Sequence, residues 1–267
     1  MLIDIGANLA HDGFDADLHA LLQRAHDASV AAIVITGSSY ASNDKALHIA
    51  RTAGGDRDNR PKLYCTAGCH PHHASDWNEA LAAQVAKLSM QSEVVAVGEC
   101  GLDYFRNYSP HAAQRSAFTA QLGLALQADK PVFLHQRDAH HDFLAILRDY
   151  RKVLADACVH CFTDSGEALE AYLELDCYIG ITGWVADERR GQGLRELVSR
   201  IPADRLLIET DAPYLLPHNM RPKPKDRRNE PAFLHWVLAA IAEARNEDPA
   251  VLAAQTSANA QRFFRLP

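Results

Sequence analysis

The feature that most restricts the fold is a repeat of pattern. Eight short, β-branched, nearly continuous apolar runs follow one another: LIDIGA at 2–7, AAIVITG at 31–37, LYCTAGC at 63–69, EVVAVGE at 93–99, PVFLH at 131–135, ACVHCF at 157–162, CYIGIT at 177–182 and RLLIET at 205–210. Strands buried on both faces have this composition. Helical patterns lie between them, including residues 16–29, 78–88, 111–128, 138–150, 187–199 and 231–244, with Asp138 and Ser165 placed as N-caps. Eight strand-plus-helix units in about 250 residues is the count of an α/β (β/α)8 TIM barrel. A doubly wound open sheet would also use parallel strands, but no GxGxxG or P-loop follows any of these runs. No linker or internal repeat divides the chain, so residues 1–267 are expected to form a single domain.

Charge and cysteine content narrow the function. The formal net charge is −7, so no global positive field attracts a polyanion, and any such binding must be local. No apolar run has the length of a membrane span, and no basic n-region precedes the first strand. A soluble cytoplasmic monomer that does not contact a membrane is expected. Cys158 and Cys161 have metal-clamp spacing, but Cys65 and Cys69 are one residue too wide to complete a zinc ribbon. Both pairs lie inside strand-like runs, and buried free thiols are the simpler expectation.

The chemistry gathers where strands end. The third strand runs into His70 and His72, the fourth ends at Glu99, the fifth at His135, the sixth carries His160, and the eighth leads through Glu209 to Asp211. In a barrel these positions meet at the C-terminal mouth. Carboxylate and imidazole donors are what a catalytic divalent ion needs when it must keep an open coordination position. Glu99, His135, His160 and Asp211 are therefore the candidate metal ligands. Glu99 and Asp211 are the candidate catalytic residues, with Asp211 orienting or deprotonating a water.

The stretches GCHPHH, VGECGLDY, FLHQRDAH, VHCF, GITGW and LLIETDAPYL resemble the TatD family of metal-dependent deoxyribonucleases, and the likeness extends from Asp4 to the C-terminal helix. The resemblance implies a barrel of the metallo-dependent hydrolase type and hydrolysis of phosphodiester bonds in DNA. It further implies 3′→5′ removal of nucleotides, a preference for single-stranded DNA or RNA, and magnesium as cofactor. A role in DNA repair is a family-level expectation. Many members open with a D-x-H-x-H strand whose histidines hold a first metal. Here Gly6 and Asn8 stand at those positions, so one firmly held ion is expected, with any second ion weak or brought by substrate. Two imidazoles and a carboxylate suit Mn2+ or Zn2+ better than Mg2+, whereas the resemblance puts Mg2+ first.

His70, His72, Arg137 and Arg228 are the candidate substrate contacts. Arg137 is expected to open a helix at the mouth, and Arg228 lies in NMRPKPKDRRNEP, residues 219–231, the densest basic run of an acidic chain. Tyr104, Phe105 and Trp184 follow strand ends and could stack on unpaired bases. Two other functions fit the pattern less well. An amidohydrolase-like enzyme acting on a small ester, lactone or amide would lack the lysine often found on the fourth strand. A non-catalytic nucleic-acid-binding barrel would bind without turnover.

Overall fold

The computed structural model describes residues 1–55, 59–189 and 191–267. Its core is one eight-stranded sheet whose strands pair in chain order. They are β1 (Leu2–Ala7), β2 (Val30–Ile35), β3 (Lys62–Ala67), β4 (Val94–Asp103), β5 (Val132–Arg137), β6 (Ala157–Val159), β7 (Tyr178–Ile181) and β8 (Leu206–Ile208). Every neighbouring pair is parallel. The sheet curls into a nearly closed TIM barrel. At the seam the N–H of Asp211 donates to the Gly6 carbonyl at 2.8 Å, and the N–H of Asn8 donates to the Ala212 carbonyl at 2.7 Å. Buried Asp4 reinforces the seam by accepting the Thr210 hydroxyl at 2.6 Å and its N–H at 3.0 Å.

Strand alternation separates two cores. Val132 and Leu134, Val159, and Leu206 and Ile208 pack toward the helices, whereas Phe133, Cys158 and Leu207 fill the barrel interior with Ile3, Ile5 and Val34. The helix Pro249–Phe264 adds Ala260, Phe263 and Phe264 to the interior cluster. Two residues beyond each inward side chain the same face continues. Phe133 is thus followed by His135, Cys158 by His160, and Leu207 by Glu209.

Element boundaries differ from expectation in ways that matter. β4 does not stop at Glu99 but continues to Asp103, past a register shift between Gly98 and Cys100 that leaves Glu99 as the extra residue. Ser165 caps its helix through the Ala168 N–H, whereas Asp138 is not a cap. Asp138 has φ +51°, and the Ala139 N–H is taken instead by the Gln136 side chain at 3.0 Å. The helix expected at 187–199 is shorter, Gln192–Val198, and Arg190 in that span lies outside the described residues. No helix among the described residues is long and apolar enough to cross a membrane. The cysteines are free thiols, with Cys158 facing the barrel interior and Cys161 lining its mouth, so the pair does not converge.

Candidate active site

A cavity of about 360 Å³ opens at the C-terminal mouth, lined by His70, His72, Glu99, His135, His160 and Asp211 together with Arg106 and Arg137. Its centre is Glu99. Three imidazole nitrogens surround one oxygen, Glu99 Oε1: His160 Nε2 at 2.7 Å, His135 Nδ1 at 3.0 Å and His70 Nε2 at 3.3 Å. Burial opposes ionisation of Glu99, yet the three histidines hold its carboxyl well below the usual range.

The outer nitrogens of two of these rings identify the donor atoms. His135 Nε2 lies 3.2 Å from Asp103 Oδ2, and His160 Nδ1 lies 3.3 Å from Glu209 Oε2. In each ring the nitrogen facing Asp103 or Glu209 carries a hydrogen, and the inner nitrogen either holds a proton against Glu99 Oε1 or offers its lone pair to a cation there. Lone pairs and a carboxylate oxygen repel one another unless a proton or a metal cation lies among them. Burial works against charge on His160, but Glu209 and Glu99 outweigh it and lift its pKa well above the ordinary imidazole value. Carboxylate–histidine–metal arrays have this construction, so the donor set fits a divalent cation.

His70 differs. Its ligand atom lies within 4.8 Å of those of Glu99 and His135, as a metal cluster requires. However, His70 Nδ1 accepts the His72 N–H at 3.0 Å, which places the ring hydrogen on Nε2. His70 therefore points a donor into the cavity. Burial pulls its pKa down to about 4, so the ring is neutral at pH 7. His72 is anchored at the rim by a 2.8 Å bond from Nε2 to Asp103 Oδ2.

Asp211 lines the cavity and accepts the Asn8 side-chain amide at 2.9 Å. Burial pushes its pKa up to about 7; His160 and the Asn8 bond oppose that shift, while Glu99 and Glu209 add to it. The first strand fits against the same carboxylates. A Cβ built on Gly6 would run into Glu209 Oε2 and meet the Phe133 ring, so the Glu209 carboxylate fills the space a side chain at position 6 would need. Glu209 is fully buried and also accepts the Cys161 N–H at 2.6 Å.

Arg137 lies at the rim, at the end of β5 rather than on a helix N-terminus. Arg228 lies elsewhere. Its guanidinium donates to Asp17 at 2.7 and 2.9 Å and to the Gly13 carbonyl at 2.7 Å, and it sits 5.0 Å from the centre of the Phe14 ring. The expected phosphate contact at Arg228 gives way to a structural ion pair that fastens the 219–231 loop to the segment after β1. Lys223 and Arg227 of that loop line a separate cavity with Trp184 and Leu215.

Asp103 was missed in the sequence. It is 2% exposed and serves both His72 and His135. The available signal was its spacing four residues beyond Glu99, which in a strand returns to the same face.

The chain is similar to known proteins over nearly its whole length. The model of the TatD-related DNase family matches residues 3–265. The chain is 50% identical over 268 residues to the "3'-5' ssDNA/RNA exonuclease TatD" of Erwinia billingiae, with 100% of each chain covered. It is 48% identical to the protein of the same name from Erwinia tasmaniensis, covering 99% of this chain and 100% of that one. Among solved structures, a TatD homologue of Escherichia coli, YJJV, superposes with a TM-score of 0.88 at 28% identity, covering 100% of this chain and 98% of the other.

Proposed function

The chain belongs to the TatD-related DNase family and is a hydrolytic nuclease, and from this premise we propose that it is a 3′→5′ exonuclease on single-stranded DNA or RNA that works with one firmly held divalent cation. The observation that carries the proposal is the ring of imidazole nitrogens on Glu99 Oε1, two of them backed by carboxylates. Glu99, His135 and His160 would hold the ion, with Asp211 at its edge. When bound, the ion acidifies a water and neutralises phosphoryl charge. Mg2+ is the proposed physiological ion, and the imidazole-rich donor set also accommodates Mn2+ or Zn2+.

The chain's own groups divide the remaining work. Asp211 orients the attacking water and takes its proton from the edge of the cavity, where the Asn8 amide fixes its carboxylate. His70 presents an Nε2–H donor to a phosphate oxygen, and His72 and Arg137 hold the substrate at the rim. Gly6 has no side chain to offer a second ion, and Asn8, whose amide nitrogen donates to Asp211, offers at most a weak neutral oxygen. The protein is proposed to act as a monomer.

The test is digestion of 3′- and 5′-labelled single-stranded DNA and RNA with Mg2+, Mn2+ or Zn2+, beside a panel of esters, lactones and amides. Stepwise loss from the 3′ end is expected, and Glu99→Gln should abolish it. Stepwise loss from the 5′ end, turnover confined to the small-molecule panel, or binding without turnover under every metal would refute the proposal.

A further inference from the structure

Three aromatic residues follow strand ends at the mouth, and their surroundings separate them. Trp184 packs against the hydrophobic core. Tyr104 stacks on His111 with ring centres 3.5 Å apart and planes at 8°, and its hydroxyl donates to Asp142 at 2.7 Å. Phe105 is 52% exposed. Three residues on, Tyr108 is 67% exposed and touches His72 edge-on at 4.8 Å.

The backbone fixes Phe105 in that position. Asp103 Oδ1 accepts the N–H groups of Phe105 and Arg106 at 3.0 and 2.7 Å, closing the turn after β4. Asp103 is also the register partner of Arg137 on β5, and the Tyr104 N–H donates to the Arg137 carbonyl at 2.9 Å. This pairing sets the Arg137 guanidinium 4.6 Å from the Phe105 ring centre, with that of Arg106 at 5.6 Å. Both arginines line the cavity that holds Glu99.

Their guanidinium groups have no hydrogen-bonded or ion-paired acceptor among the described residues. Other arginines of the chain, such as Arg24 on Glu230 and Arg205 on Asp176, are tied to carboxylates. Two cations left without acceptors beside an exposed ring, in the lining of the cavity that holds Glu99, form a surface whose missing partner combines an anion with a flat apolar face. A nucleotide has both.

We propose that Phe105, with Arg137 stacked on it and Arg106 beside it, is the platform that receives an unpaired base next to the scissile phosphate while the guanidinium edges take the flanking phosphates. The platform rests on the nuclease reading of the site and specifies how that site selects single strands. A base in a duplex is covered on both faces by its neighbours, whereas an unpaired base has a face free to stack. Base identity matters little to such a contact, so hydrolysis proceeds across sequences.

The experiment compares two fluorescent single-stranded oligonucleotides of equal length, one normal and one with abasic sites at its three 3′-terminal positions. Binding to the metal-free full-length protein is read by fluorescence anisotropy, and cleavage is read separately after Mg2+ or Mn2+ is added. Phe105→Ala should weaken binding of the normal oligonucleotide about tenfold more than that of the abasic one, as expected for loss of one base–aromatic stack. Phe105→Trp should restore the difference between the two substrates. Equal weakening of both, or no weakening of either, would overturn the platform. If the base-dependent difference stands but added metal gives no product from the wild-type chain, the platform survives and the nuclease reading fails. Normal cleavage with no base-dependent difference has the opposite meaning.

Discussion

Replacing Asp103 with asparagine tests the construction of the site at one atom. Oδ2 accepts from His72 Nε2 at 2.8 Å and lies 3.2 Å from His135 Nε2, while Oδ1 closes the turn after β4. Asparagine is nearly isosteric and can keep its oxygen on the turn N–H groups. Its amide nitrogen then faces two ring nitrogens that need an acceptor. Each hydrogen bond to an ionised group is worth about 1.5–3 kcal/mol net, and two are lost; relief of the buried charge offsets part of this, leaving about 3 kcal/mol of destabilisation. For a chain of this size that is a fall in Tm of roughly 6–12 °C. The sharper consequence concerns the metal. Without Asp103, His135 no longer has its hydrogen fixed on Nε2, and its Nδ1 is a poorer donor. Removing such an outer partner costs about 10- to 100-fold in metal affinity. Asp103→Asn should therefore bind Mn2+ that much more weakly at a temperature where it is fully folded, as measured by a binding isotherm, with melting curves recorded in parallel. A lowered Tm with an unchanged Mn2+ isotherm would make Asp103 a purely structural residue and refute the tautomer assignment.

Three further outcomes are expected. Gly6→Ala forces a methyl into Glu209 Oε2, so overpacking should cost about 2 kcal/mol in chemical denaturation and lower kcat; a variant as stable and active as wild type would show that Glu209 moves freely. Asp4 is fully buried, and burial raises its pKa from 3.8 to about 7 against the opposing bonds from Thr210 and Gly6. Its contribution to stability is full below about pH 4 and is lost as pH rises toward 7, by roughly 4 kcal/mol, so urea midpoints of Asp4→Asn should lack that part of the decline that wild type shows between pH 4 and 7. Arg228→Ala should lower Tm through loss of the Asp17 pair yet leave the salt dependence of oligonucleotide KM unchanged, whereas Arg137→Ala should reduce the log–log salt slope by about 0.7; the reverse result would return the phosphate role to the 219–231 loop.

The barrel was legible because its strands are buried on both faces, which leaves continuous apolar runs that alternate with helical periodicity. The converging residues were legible for a related reason. A His or Glu ending such a run has two fates, to be buried against a partner or to face the mouth, and the parity from Phe133 to His135 and from Cys158 to His160 sends both rings inward. Asp103 escaped notice because β4 was taken to end at Glu99, and a strand that continues past a bulge has no compositional mark other than Gly98 and Gly101. Arg228 was misplaced because charge density along a loop does not show which carboxylates fold back against it; Asp17 lies more than two hundred residues away in sequence. Asp138 resembled a cap by residue type alone, and the Gln136 side chain took that bond.

The crowding of Gly6 by Glu209, together with the tie from Asn8 to Asp211, sets what redesign of this site would demand. Placing a histidine at position 6 would require a simultaneous retreat of Glu209, the group that orients His160, and placing one at position 8 would release Asp211. Either change alone would damage the existing centre before a second one could form, so an engineer seeking a two-ion version of this barrel would have to rebuild β1, β6 and β8 together.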